Sequence, residues 1–126
     1  MSTAIGSKTL VITGAASGFG LEFARLGASR GYNIVMADVE QGALDAAAAE
    51  ISATGVQVLA QRVDVSRHEQ IDALAAATKA RFGAPHWVFN NAGVGSGGLI
   101  WENSLKDWEW VMGVNVMGVV YGVKAF

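Results

Sequence analysis

The sequence predicts an α/β fold built on a doubly wound parallel sheet, with four strands in the order 3-2-1-4. Two observations carry this prediction. Short apolar runs alternate with segments of helical spacing along the chain. The runs are apolar almost throughout, which is typical of strands that helices cover on both faces. Right-handed crossovers between such strands give a sheet whose order reverses beside the first strand.

The first three predicted helices each have a recognisable end in the sequence. Gly31 and Gly55 stop the first two helices, and Gly83 together with Pro85 stops the third. In chain order, the predicted elements are a strand at 9–13, a helix at 17–30, a strand at 33–37, a helix at 40–54, a strand at 56–63, a helix at 66–81, a strand at 87–89 and a helix from 104 to the end.

Two serines are expected to begin helices. Ser66 is followed three residues later by Glu69, which predicts a capping box in which each residue bonds the main chain of the other. Ser104 is expected to cap the last helix. A glycine-rich loop, residues 94–98, precedes it.

The composition narrows the classes of function. The chain of 126 residues fits one domain, and its net charge of −2 without a basic run makes nucleic acid an unexpected partner. It contains no cysteine, and neither His68 nor His86 is accompanied by a carboxylate cluster, so no metal site is expected. Charged residues make up only 16%, against about 25% in a typical soluble domain. Some of the surface is therefore expected to be covered by something other than solvent.

Two apolar stretches could be mistaken for membrane or export signals. The run near the N-terminus is too short for a signal peptide, so a cytoplasmic location is expected. Residues 110–123 are apolar apart from Asn115, but the stretch is shorter than the roughly 18 residues of a membrane span. A buried helix or a helix–helix interface is the preferred interpretation, and no membrane contact is expected.

A glycine-rich segment, TGAASGFG at 13–20, lies between the first predicted strand and helix. Gly14 would allow a tight turn, Gly18 would let the main chain approach a pyrophosphate, and Gly20 would let the helix pack close to the strand. The start of the helix offers free amide groups and a partial positive charge to phosphates. The segment predicts a Rossmann-type dinucleotide site, the alternative being a glycine-rich turn without a ligand.

Asp38 ends the second predicted strand, 18 residues after Gly20. A carboxylate at this point can accept hydrogen bonds from ribose hydroxyls and would repel a 2′-phosphate. No arginine or lysine flanks it or lies in the glycine loop. NAD is therefore the expected cofactor, with NADP as the alternative. The other interpretation is that Asp38 caps the next helix.

These residues resemble the short-chain dehydrogenase/reductase family, whose glycine loop has the form Thr-Gly-x-x-x-Gly-x-Gly found here. Asp64-Val65 look like the family's contact to the adenine ring, and the segment 90–93, NNAG, is similar to its second signature. Asn115 looks like the asparagine of the family's active site. From the residues alone, the two asparagines at 90 and 91 could instead be turn residues, and Asn115 a buried side chain bonded to main chain.

The resemblance implies an NAD(P)-binding Rossmann domain over residues 1–126, the N-terminal half of a short-chain dehydrogenase. The implied catalytic residue is Asn115. The implied cofactor-binding residues are Gly14, Ser17, Gly18, Phe19, Gly20, Asp38, Asp64, Val65, Asn90, Asn91, Ala92 and Gly93.

The activity that the resemblance implies is hydride transfer between a nicotinamide and an alcohol or carbonyl substrate. In the family, a serine and a Tyr-x-x-x-Lys pair follow a fifth strand, which would lie beyond residue 126. Tyr121 and Lys124 are three residues apart and share a predicted helix with Asn115, so an interface helix is the preferred interpretation. The sheet is expected to be truncated after four strands, and the 126-residue chain alone is expected to be inactive.

Two other functions stay open at this point. The chain could be a non-catalytic nucleotide-binding fragment or regulatory partner, or a remnant that does not fold stably. The family's equivalent of the last helix packs against a second subunit, so a homo-oligomer is expected through it. The substrate is a small molecule that the sequence does not name, and Ile100 and Trp101 indicate only an apolar one.

Overall fold

The computed structural model describes residues 7–126 and shows a single parallel sheet with helices on both faces. The strands follow the order β3-β2-β1-β4, which confirms the predicted fold class. They are β1 (Thr9–Thr13), β2 (Asn33–Asp38), β3 (Val58–Arg62) and β4 (Trp87–Phe89). The α-helices are α1 (Gly18–Ser29), α2 (Gln41–Ser52), α3 (His68–Phe82), α4 (Leu105–Met112) and α5 (Gly118–Ala125).

The two central strands divide the core into two layers because successive side chains of a strand point to opposite faces. Ile12 and Ile34 lie on one face, against α1 and α2, and Val11 and Val35 lie on the other, against α3 and α5. All four are fully buried. The register places Val11 beside Val35 on one side and Val88 on the other. The prediction of strands covered on both faces is therefore confirmed for β1 and β2, whereas Trp87 and Phe89 of β4 are exposed.

Helix α1 lies unusually close to the sheet at Gly27. A Cβ atom at this position would lie 2.7 Å from Leu10 Cδ2 and 2.9 Å from Ile34 Cδ1. The close approach helps to hold the start of α1 at the end of β1, which positions the glycine loop.

The predicted capping box at Ser66 is wrong. Helix α3 begins at His68 after Arg67, without a side-chain capping bond. The amide and hydroxyl of Ser66 instead both donate to Asp64 Oδ1, at 3.0 and 2.6 Å. The carboxylate of Asp64, two residues before Ser66, is a charged acceptor close to this hydroxyl. The hydroxyl bonds to it, and no side chain caps the helix.

The last predicted helix is confirmed in position, but it is not one regular α-helix. Ser104 Oγ accepts from the Asp107 amide at 3.1 Å, and Asp107 Oδ2 accepts from the Ser104 amide at 2.9 Å. Between α4 and α5 the chain forms a π-helical turn, Gly113–Met117, and a 3₁₀ turn, Ile100–Glu102, precedes α4. Within residues 7–126, no helix has the length and apolarity of a membrane span.

Candidate cofactor site

A cleft of about 590 Å³ opens at the carboxyl ends of the strands, where the strand order reverses beside β1. Ligands of open α/β sheets bind at such a switch point. Segments that follow all four strands contribute to the cleft, and α4 and the π-helical turn close one side. Its lining residues are Gly14, Ser17, Phe19, Asp38, Val39, Glu40, Val63, Asp64, Val65, Asn91, Ala92, Gly93, Val94, Trp110 and Val114.

The glycine loop has the geometry that its sequence predicts. Gly14 and Gly18 have φ of +66° and +55°, a left-handed conformation that side chains rarely adopt. A Cβ on Gly20 would overlap Gly14 O and lie 2.8 Å from Gly14 C, whereas one on Gly18 would meet no atom within 4 Å. Gly20 therefore permits the close helix–strand packing, and open space lies beside Gly18 at the start of α1.

Thr13 and Asn91 join the glycine loop to the turn after β4. The buried Thr13 Oγ1 accepts from the amides of Asn91 and Ala92, at 3.0 and 3.1 Å. Asn91 Nδ2 donates to Thr13 O at 3.2 Å and to Gly14 O at 3.4 Å. The Asn91 side chain thus bonds to the protein's own main chain, and its contribution to the cleft is to fix the two loops together.

Asp38 lies in the cleft and holds two main-chain amides. Its Oδ2 accepts from Ala16 N and its Oδ1 from Glu40 N, both at 3.0 Å. Helix α2 begins after Glu40 without a side-chain cap, so the interpretation of Asp38 as a helix cap is wrong. The Ala16 bond ties the glycine loop to the end of β2. A carboxylate has about four lone-pair positions, so two remain for a ligand.

Asp64 and Val65 follow β3 and lie in the same cleft. Asp64 Oδ1 is occupied by Ser66, while its amide donates to Gln70 Oε1 at 2.8 Å. Val65 is buried, and a Cβ on Gly118 would lie 2.8 Å from its Cγ2. These contacts fix the β3 end of the cleft against the π-helical turn and α5.

Asn90 and Asn115 do not line the cleft. Asn90 Oδ1 is buried without a hydrogen-bond partner among residues 7–126 and packs against Gly122. Asn115 Oδ1 accepts from Val94 N and its Nδ2 donates to Val94 O, both at 2.8 Å. Asn115 is bonded to main chain as the alternative interpretation expected, but it is exposed rather than buried. It fastens the π-helical turn to the segment after β4.

The other two residues near the end of the chain have ordinary surroundings. The Tyr121 ring is half-buried, with its centroid 5.7 Å from that of His68, and Lys124 is exposed. Neither lines the cleft.

Several cleft residues escaped the sequence analysis, notably Glu40, Val94 and Trp110. One signal could have found Trp110, because it precedes the apolar Val114 by four residues and so shares its helix face. Glu40 had no such signal, since its place depends on how the chain turns after Asp38.

The charged side chains that line the cleft are all acidic. Three carboxylates line it, those of Asp38, Glu40 and Asp64, and no lysine or arginine does so. Arg62 is nearby, with its Nε donating to Val39 O at 3.1 Å, but it is outside the lining. The part of the chain that the structure describes contains no group of three or more histidine, cysteine or acidic residues that could hold a metal ion.

Comparison with known proteins identifies relatives along nearly the whole chain. Residues 8–126 match the short chain dehydrogenase family. The CLA biosynthesis dehydrogenase/reductase of Lactiplantibacillus plantarum is 37% identical over 117 residues, which cover 93% of this chain and 41% of the relative. The chain thus spans less than half the length of this curated relative.

Solved structures agree with the sequence relatives. A short-chain dehydrogenase/reductase from Burkholderia phymatum in complex with NAD is 53% identical with a TM-score of 0.94, over 95% of this chain and 43% of that one. An alcohol dehydrogenase from Thermococcus sibiricus complexed with 5-hydroxy-NADP is 33% identical with a TM-score of 0.91, over 95% of this chain and 52% of that one. The present chain therefore belongs to the short-chain dehydrogenase family of oxidoreductases.

Proposed function

We propose that the chain forms the dinucleotide-binding domain of an oxidoreductase that interconverts an alcohol and a carbonyl, with NAD as the preferred cofactor. The observation that carries the proposal is the acidic cleft at the switch point, which is lined by Asp38 and by Phe19 at the start of α1. The NAD and NADP analogue found in related structures support a dinucleotide in general.

The phosphates are assigned to the glycine loop. The first amides of an α-helix have no partner inside the helix and carry part of its positive dipole. Helix α1 begins at Gly18, and the open space there leaves room for a pyrophosphate to approach the main chain. Ser17 and Phe19 flank this point and line the cleft. These features fit a pyrophosphate at the start of α1.

The preference for NAD is assigned to the carboxylates. The two remaining lone-pair positions of Asp38 fit the 2′- and 3′-hydroxyls of the adenosine ribose. A 2′-phosphate in the same place would face Asp38, with Glu40 also in the cleft. Arg62 is a nearby cation that could offset this repulsion, and its bond to Val39 O holds it at the end of β2. Arg67 Nε instead lies 4.0 Å from Asp64 Oδ2, at the end of β3.

The segment 90–94 is assigned to the nicotinamide side of the cofactor, which when bound supplies hydride transfer. Asn115 acts there as a positioning residue, because both ends of its amide hold Val94. Residues 1–126 contain no Tyr-x-x-x-Lys sequence, and Tyr121 and Lys124 lie outside the cleft. We therefore assign no proton-transfer residue within the chain and propose that the chain alone is inactive.

The exposed apolar face of the last helical segment is assigned to a homo-oligomer. Its exposed members are Trp108, Met112, Val116, Met117, Val119, Val120 and Val123. Replacing Val119 and Val123 by lysine is expected to shift the chain toward the monomer in analytical ultracentrifugation. The matched control is Leu26→Lys, which changes an exposed apolar residue on α1, outside the cleft. Equal sedimentation of all the variants and the unaltered chain would contradict the assignment.

Calorimetric titration of NAD and NADP tests the cofactor assignment. The unaltered chain is expected to bind NAD more tightly than NADP. Asp38→Ala is expected to weaken NAD binding about tenfold, as for loss of hydrogen bonds to a charged group, and to bring the two affinities together. The matched control is Asp45→Ala, whose carboxylate is on α2 and bonds Gln41 at 2.8 Å. Equal loss for both cofactors would remove the NAD preference, and no binding of either would overturn the proposed function.

A further inference from the structure

Trp110 lines the cleft, and none of the cofactor contacts proposed above involves its side chain. It is 50% exposed and lines the cleft together with Asp64, Val65 and Val114. Trp110 lies four residues before Val114, and helix positions four residues apart share a face. Val114 is buried in one apolar cluster with Val63 and Val65. The helix face that carries the indole is therefore the one turned toward the end of β3.

The position of Trp110 is fixed at both ends of its helix. Before it, Ser104 and Asp107 bond each other's main chain and hold the start of α4. After it, Asn115 bonds the main-chain N–H and C=O of Val94. The indole is thus carried by a helix anchored on both sides rather than by a loop.

The ring of Trp110 is also available for stacking. The aromatic pairs found among residues 7–126 are Phe23 with Phe89, Tyr32 with Trp87, and His68 with Tyr121. Trp110 belongs to none of these pairs. An unpaired ring at the side of a cleft offers one flat apolar surface to a flat ligand.

The part of the ligand that reaches this surface follows from Asp38. If Asp38 holds the adenosine ribose, the base attached to that ribose lies toward the neighbouring strand on the outer side of the sheet, which is β3. Asp64 and Val65 follow β3 and line the same cleft as Trp110. Adenine is the one flat aromatic group of the cofactor on this side.

We infer that Trp110 is a binding determinant for the adenine base, with its indole covering one face of the base. This inference rests on the proposed function. Stacking tolerates any base, because every base has a flat π-face. Trp110 therefore supplies affinity, whereas the preference between NAD and NADP stays with Asp38.

Titrations of NAD and AMP into the chain and three variants test the inference. Trp110→Ala is expected to weaken the binding of both nucleotides about tenfold, within the range of base–aromatic stacking. Trp110→Phe is expected to retain affinity to within about threefold, because a phenyl ring also stacks. The matched control is Trp101→Ala, which removes an exposed tryptophan outside the cleft and is expected to leave both affinities unchanged.

Tryptophan fluorescence adds a readout that a purely structural role would not move. AMP is expected to quench the emission of the unaltered chain, and Trp110→Phe is expected to lose this quenching while it still binds AMP. The free variants are expected to unfold within a few degrees of one another, because the indole is half-exposed.

The outcomes separate this inference from the proposed function. If the unaltered chain binds NAD and AMP, and Trp110→Ala binds them equally well, the inference fails and the proposed function stands. Loss of affinity in Trp110→Phe as large as in Trp110→Ala would also overturn the stacking role, as would equal loss in Trp101→Ala. If the unaltered chain binds neither nucleotide, both fail.

Discussion

The two central strands and the last helical segment are both rich in apolar residues but differ in how completely they bury their side chains. In β1 and β2, Val11, Ile12, Val35 and Met36 are all 0% exposed. In the segment from α4 to α5, apolar side chains are exposed by as much as 81% at Leu105, and Val123 is 69% exposed. The first region is covered by the chain's own helices, whereas the second presents an apolar face that the proposed second subunit would cover. Apolar composition therefore identifies surface that needs covering without saying whether the same chain covers it.

The largest expected effect is in the tightly packed region, at Gly20. In Gly20→Ala the added Cβ would overlap the main-chain oxygen of Gly14, which cannot rotate away. We expect a loss of about 3 kcal/mol in the free energy of unfolding, at the upper end of overpacking effects. Urea denaturation would measure it.

Gly42→Ala is the control for this change. It places a methyl group in a helix where no atom lies within 4 Å, and it is expected to stabilise the chain by about 0.5 kcal/mol. Equal effects of the two substitutions would contradict the described packing.

The two regions can be compared directly by making the same substitution, valine to alanine, in each of them. Val35→Ala removes methyl groups from a fully buried site and is expected to lower the free energy of unfolding by about 2 kcal/mol. Val123→Ala changes a side chain that is 69% exposed and is expected to have an effect within about 0.5 kcal/mol. Thermal unfolding at low protein concentration would measure both. A larger loss of unfolding free energy for Val123→Ala than for Val35→Ala would contradict the conclusion that Val35 is covered and Val123 is not.

Gly122 is the point where the second region is tightly packed. A Cβ there would overlap Asn90 Oδ1 and lie 2.7 Å from Asn90 Cγ. Gly122→Ala is expected to lower the free energy of unfolding by about 1 kcal/mol, because overpacking outweighs the helix preference of alanine. The loss is smaller than at Gly20 since the Asn90 side chain can shift. Chemical denaturation that showed a gain would contradict this packing.

The smallest expected effect is electrostatic and concerns α1 and α2. Arg25 donates to Glu50 at 2.6 and 2.9 Å, and these bonds hold the pKa of Glu50 below its ordinary value of 4.5. Its pKa is lowered in the folded state, so the stabilisation is present above pH 4.5 and is lost as the pH falls through the lowered pKa.

Urea denaturation of the unaltered chain and Glu50→Gln between pH 7 and pH 3 would measure this effect. The difference is expected to be small, because both side chains are exposed and screened, and to vanish toward low pH. A difference that grew as the pH fell would contradict the pairing.

The sequence predicted the sheet well because its signals are local. Four apolar runs were enough to predict a doubly wound parallel sheet, and the glycine spacing of residues 14–20 together with the family resemblance gave the strand order and the position of the cleft. It failed at Ser66, whose hydroxyl donates to Asp64 Oδ1 while α3 begins only at His68 and has no side-chain cap.

The remaining details depend on contacts between distant segments. The bonds of the Asn91 side chain to the main chain require Thr13 to be adjacent. The side of the cleft that carries Trp110 is joined to Val94 by Asn115, in the π-helical turn. The π-helical turn at Gly113–Met117 carries no local signal that distinguishes it from an α-helix. Such features emerge only when the sheet has brought residues from separate segments together.

Amide chemical shifts of the ¹⁵N-labelled chain during titration with NAD would test the central claim most directly, namely that the cofactor lies in the cleft at the switch point. We predict the largest shifts for the amides of residues 17–21, 38–40, 64–65 and 91–94, with the indole N–H of Trp110 among them. Shifts confined to the outer face of α4 and α5, or to the separate cavity between Ser96 and Val111, would contradict it.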